Sequence, residues 1–103
     1  MNCCGLTVDD LAKLRNLFVK YEHIERVILY GSRAKGNFKP FSDVDITLLG
    51  DNLSHAELSQ LLVDVDDLLL PYQFDISIFK NLKNADLIDH INRVGIEIYN
   101  LTK

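Results

Sequence analysis

The chain has 103 residues, 48% hydrophobic and 25% charged, with five glycines, two prolines and no tryptophan, a composition that fits one globular domain and excludes disorder or a collagen-like fibre. Its longest apolar run, Val27-Ile28-Leu29-Tyr30, falls far short of the ~20 residues needed to cross a bilayer, and no basic-then-apolar leader opens it, so we expect a cytoplasmic protein. A formal charge of -4, from 11 basic and 15 acidic residues, argues against holding a nucleic-acid backbone by bulk electrostatics.

Thr7 followed by Asp10 predicts a capped helix start, and Val8, Leu11, Leu14, Phe18 and Tyr21 then recur at steps of three and four. Arg26 to Tyr30 is a β-branched and aromatic run, apolar at consecutive positions, and predicts a strand covered on both sides. It ends at Gly31-Ser32. Residues 33–42, with Gly36, Asn37 and Pro40, predict a loop after one helical turn at Ser32. Asp43 to Leu49 alternates, with Asp43, Asp45 and Thr47 on one face and Val44, Ile46 and Leu48 on the other. Ser54 caps the next helix, whose apolar stripe is Leu58, Leu61, Leu62, Val65, Leu68 and Leu69, with Pro71 as its stop and Val63 and Leu70 off the stripe. Tyr72 to Phe79 alternates again, residues 85–94 are helical in pattern, Gly95 ends them, and Ile96 to Tyr99 adds a short edge strand. Helices and strands therefore interleave around one sheet.

Charge is unevenly spread. Residues 31–42 hold Arg33, Lys35 and Lys39 with no acid, whereas the helix after Ser54 holds Glu57, Asp64, Asp66 and Asp67 with no Lys or Arg. A short basic loop on an acidic body suits a small anionic ligand better than a polymer. Cys3 and Cys4 are adjacent, so they offer neither a disulfide framework nor a Cys-x-x-Cys half-site and read as incidental reduced thiols. His23, His55 and His90 lack zinc-site spacing and read as surface or core-edge residues.

The strongest chemical signal is Gly31-Ser32, ten intervening residues, then Asp43-Val44-Asp45. A glycine at a strand end lets the backbone approach a phosphate, and the Ser32 hydroxyl with neighbouring N–H groups can donate to it. Arg33, Lys35 and Ser42 stand close by in sequence. Asp43 and Asp45 project from the same strand face with Cα atoms roughly 6.5 Å apart. Carboxylates brought to about 4 Å repel by about 4 kcal/mol at an effective dielectric near 20, so convergence calls for a cation. Magnesium, which takes oxygen ligands from carboxylates and phosphates together, is the natural one. Asp75, opposite Phe74 and Ile76 in an otherwise apolar strand run, supplies a third acid for a two-ion site. A P-loop is rejected, because Asn37 and Phe38 follow Gly36 where Lys and Ser/Thr are required.

Taken together, Gly31-Ser32, Asp43-Val44-Asp45 and the later Phe74-Asp75-Ile76 resemble the minimal nucleotidyltransferases of the DNA polymerase β-like superfamily, over nearly the whole chain. The resemblance implies an α/β (α+β) fold, a small mixed β-sheet flanked by helices, in a single nucleotidyltransferase domain spanning residues 1–103. It implies that Asp43, Asp45 and Asp75 hold two magnesium ions, and that Gly31 and Ser32 bind the triphosphate of ATP, with Arg33, Lys35 and Ser42 beside them. AMP then passes to an acceptor hydroxyl and pyrophosphate leaves. Such proteins are often paired with a small helical HEPN protein, and antitoxins with this motif adenylylate a tyrosine of a HEPN toxin. We therefore expect a hetero-oligomer with a HEPN partner, no membrane contact and no direct nucleic-acid binding. The alternative is a non-catalytic subunit that binds nucleotide or occludes its partner.

Overall fold

A computed structural model describes residues 4–39 and 42–102 of the chain; Cys3 and Pro40, both named above, lie outside them. Thr7 Oγ1 accepts from the Asp10 main-chain N–H at 3.0 Å and the Asp10 carboxylate accepts from that of Thr7 at 3.1 Å, the reciprocal capping box that starts α1 (Val8–Phe18). Strand β1 (Arg26–Tyr30) follows, then a single helical turn, α2 (Ser32–Lys35), and β2 (Val44–Leu49). Ser54 and Glu57 form a second capping box at the head of α3 (His55–Asp66). Strand β3 (Phe74–Ile78) and a 3-10 turn (Phe79–Asn81) lead into α4 (Ala85–Val94), capped by Asn84, and β4 (Ile96–Asn100) closes the order.

The strands lie β3-β2-β1-β4, with β1 antiparallel to both β2 and β4 and β2 parallel to β3. This is the expected mixed sheet flanked by helices. One face carries Val27, Leu29, Val44, Ile46, Leu48, Ile76 and Ile78, which pack under α1 and α3 through Leu14, Phe18, Leu61 and Val65. Near-continuous apolar residues in β1 mark its burial on both sides, since Ile28 and Tyr30 on the opposite face meet Ile91 of α4. Register carries that second face across the sheet: Ile28 pairs Thr47 and Thr47 pairs Ser77, while Tyr30 pairs Asp45 and Asp45 pairs Asp75. Beyond the apolar patch under α4, the second face is therefore polar, and Ser77 Oγ donates to Thr47 Oγ1 at 3.0 Å.

Several expectations need correction. Val8 and Leu62 fit the helical period yet are exposed, because each sits at the flank of a stripe whose centre alone meets the sheet. Leu70, off the stripe, packs against the core instead. Helix α3 ends at Asp66, before Pro71: Leu68 and Leu69 donate three residues back, to Val65 and Asp66, and Leu69 adopts φ 56°, turning the chain out of the helix. Cys4 is disulfide-bonded rather than a reduced thiol. Among the described residues, no helix is long and apolar enough to cross a membrane.

Candidate active site

The end of β1 sets the geometry. Gly31 follows Tyr30 with φ 79° and ψ -155°, a region open essentially to glycine alone. A Cβ built there would lie 2.3 Å from Asp45 Oδ2, so the missing side chain is the space that the Asp45 carboxylate fills. Ser32 opens α2 directly afterwards, and no side chain caps that turn. The first-turn amides of a helix have no acceptor within it, which leaves donors at this corner beside a carboxylate.

Asp45 and Asp75 are register partners on adjacent parallel strands and so share one sheet face. Asp43, exposed just ahead of β2, lies two residues before Asp45 and acts on it as well. Burial raises the Asp45 carboxyl above the ordinary carboxylate range, the charges of Asp75 and Asp43 raise it further, and the Arg33 guanidinium opposes them. Burial likewise raises the Tyr30 hydroxyl; a hydrogen bond with Ser77 lowers it, and Asp75 and Asp45 add to the rise. Three carboxylates thus gather negative potential on the uncovered part of the second face.

That donor set suits a hard divalent cation: all ligands are carboxylate oxygens, and a cation relieves the repulsion that Asp45 bears. Among the described residues no three His, Cys, Asp or Glu side chains converge closely enough to ligate one ion as they stand. Phosphate oxygens complete such a shell where carboxylates alone do not.

The basic loop differs from expectation. Arg33 is 2% exposed, with Nε and Nη2 donating to the Ser42 carbonyl at 3.2 and 2.9 Å and Nη1 to the Cys4 carbonyl at 3.0 Å. Its guanidinium lies 5.0 Å from the Phe38 ring centre and 4.8 Å from that of Tyr72. It is a strut between the N-terminal turn and the loop end, with most of its donors spent on main chain. Gly5 makes room for it, since a Cβ there would lie 2.5 Å from Nη1. Ser42 Oγ is buried without a hydrogen bond among the described residues, so it does not face the open corner; the residue's carbonyl is what the structure uses. Lys35 and Lys39 are exposed.

One residue was missed. His90 of α4 accepts a hydrogen bond from the Gly31 N–H through Nε2 at 3.0 Å, and its ring stands edge-on to Tyr30. No local pattern signals this, because the partners are 59 positions apart. A separate cavity of about 460 Å³ opens between α1 and β4 at Arg15, Asn16 and Tyr99 and contains none of the acidic residues above.

Comparison with known proteins places the chain in a family. Residues 12–103 match the model of the family described as Polymerase beta, Nucleotidyltransferase. The "Putative protein adenylyltransferase" of Methanocaldococcus jannaschii is 30% identical over 80 residues, covering 75% of this chain and 81% of the relative. The fold is shared with a chain of a toxin-antitoxin crystal structure with AMP-PNP, at TM-score 0.72 and 18% identity, over 88% of this chain and 73% of that one. It is shared also with a chain of the tri-AMPylated Shewanella oneidensis HEPN toxin in complex with MNT antitoxin, at TM-score 0.59 and 15% identity, over 89% and 74%. The chain belongs to the polymerase beta nucleotidyltransferase family.

Proposed function

We propose that the chain moves AMP from ATP to a protein hydroxyl, a tyrosine of a helical HEPN partner, as the antitoxin half of a two-protein module. The observation that carries this is the register of Asp45 against Asp75 beside the Gly31-Ser32 corner. The M. jannaschii relative's designation and the AMPylated toxin complex support it by similarity.

In this reading the triphosphate docks on Ser32 and the first-turn amides of α2, and exposed Lys35 adds charge there. Asp43, Asp45 and Asp75 would hold two magnesium ions, which supply charge neutralisation on the phosphates and activation of the acceptor oxygen. The acceptor oxygen bonds to the α-phosphorus, the bond from that phosphorus to the bridging oxygen breaks, and pyrophosphate departs. Asp75 assists loss of the acceptor's proton. Positioning and electrostatics suffice for such a transition state, so no histidine base is required. Arg33 serves by holding the loop rather than by touching nucleotide, and Ser42 by giving Arg33 its carbonyl.

A second reading, a binding subunit that silences its partner by occlusion, draws on the three carboxylates not converging as they stand. Comparing partner inhibition by wild type and Asp45→Asn separates the two. Loss of inhibition with the complex intact supports transfer; full inhibition by Asp45→Asn overturns transfer as the means of neutralisation.

A further inference from the structure

The transfer chemistry leaves one polar side chain at the corner without a role. His90, half-buried on α4, accepts from the Gly31 N–H at 3.0 Å through Nε2. A ring nitrogen that accepts carries no proton, so the ring's proton sits on Nδ1 and His90 acts here as an acceptor. The same ring packs on the residue before, with centroids 6.2 Å apart and planes at 79° to Tyr30. It therefore grips two consecutive residues where β1 becomes α2.

Gly31 needs such a grip. It has no side chain, its backbone sits in a region open essentially to glycine, and the space beside its Cα belongs to the Asp45 carboxylate. Among the described residues its carbonyl accepts within its own turn, from the Lys35 N–H at 3.2 Å. The hydrogen bond to His90 ties the Gly31 N–H to α4, as Arg33 ties the following turn to the Cys4 and Ser42 carbonyls. It also removes the Gly31 N–H from the set of donors a phosphate can use, leaving Ser32 and the amides that follow it.

We infer that His90 is a positioning residue for nucleotide: by holding the Gly31 N–H it fixes the corner against Asp45 and sets where the triphosphate lies relative to the acidic face. This rests on the nucleotide-transfer reading above. If His90 were merely packing, an apolar ring would replace it without consequence. If it positions through its acceptor, glutamine, whose Oε1 reaches as Nε2 does, replaces it and phenylalanine does not.

The test is titration of AMP-PNP with magnesium into wild type, His90→Gln and His90→Phe, with thermal melts of each and, beside it, steady-state transfer to the partner. We expect His90→Gln to bind within about threefold of wild type and His90→Phe to bind about tenfold to a hundredfold more weakly, the range set by one main-chain N–H left without an acceptor. In transfer, His90→Phe raises KM for ATP and leaves KM for the partner unchanged. Should His90→Phe fail to fold, His90→Leu takes its place. Equal affinity in wild type and His90→Phe overturns the inference, as does equal weakening in the Gln and Phe variants, since an acceptor at that position would then do no better than none. Wild type that binds AMP-PNP without transferring AMP overturns the transfer reading alone, and the affinity comparison still decides His90. Wild type that does not bind AMP-PNP overturns both.

Discussion

Gly31 and Gly36 bracket the same short helix and both have positive φ, yet substitution at the two should have different consequences. Gly31 has φ 79° and ψ -155°, and an added Cβ would lie 2.3 Å from Asp45 Oδ2. Gly36 has φ 84° and ψ 4°, a left-handed conformation, with nothing within 4 Å of an added Cβ. For Gly36→Ala only the backbone term applies, about 1 to 2 kcal/mol. Gly31→Ala meets a backbone cost of about 1 to 3 kcal/mol and in addition drives the Asp45 carboxylate from its place. At about 4 to 8 °C per kcal/mol for a domain of this size, both variants melt lower, Gly31→Ala by about 10 °C or more. Only Gly31→Ala loses transfer, because only there does the new atom occupy carboxylate space. Thermal melts paired with AMP transfer from labelled ATP at 20 °C, well below either midpoint, decide the matter. Gly31→Ala with wild-type transfer would refute the reasoning, and so would equal loss of activity in Gly36→Ala.

Three further outcomes follow from the same structure. Asp45→Asn should abolish transfer yet raise the melting temperature of the metal-free protein near neutral pH, since burial and the charges of Asp75 and Asp43 hold the Asp45 carboxyl above its ordinary range and ionising it costs stability; an unchanged or lower midpoint would count against the crowding of charge. Arg33→Lys keeps the charge but loses the fork that spans the Cys4 and Ser42 carbonyls, so urea unfolding should show a loss of about 2 kcal/mol; a loss within error of zero would mean the strut is dispensable. Burial, and then the hydrogen bond that Tyr21 donates to Asp64, push the Tyr21 hydroxyl from 10.0 up to about 12. A folded-state value above the unfolded one means this contribution is complete below pH 10 and is lost as pH rises toward 12. Wild type should therefore lose stability more steeply than Tyr21→Phe across that window, and parallel curves would contradict the assignment.

What the sequence made legible was local or periodic. Thr7 with Asp10, and Ser54, start their helices as read, because a helix cap is settled within four consecutive residues; the partner of Ser54, Glu57, came with the structure. Asp45 and Asp75 come together because alternation fixes the face of each strand, and the strands lie side by side with no helix between that face and solvent at the acidic end. The burial of Arg33 was not legible, because a basic residue after Gly-Ser looks like an exposed phosphate ligand. Its burial depends on Phe38, Tyr72 and the Cys4 carbonyl closing around it, which no spacing announces. The hydrogen bond of His90 was illegible for the same reason, since its partner is a main-chain N–H on another element. Leu62 kept the helical period but fell at the edge of the buried stripe, where period alone does not tell covered from bare.

In the proposed function the corner at Gly31-Ser32 and the carboxylates of Asp43, Asp45 and Asp75 transfer a nucleotide. That transfer is tested most directly by intact-mass spectrometry of this chain and the proposed HEPN partner after incubation with ATP and magnesium, with Asp45→Asn as control. The account predicts an adenylyl increment on the partner with wild type and none with Asp45→Asn; a partner that stays unmodified in a stable complex with wild type would contradict it.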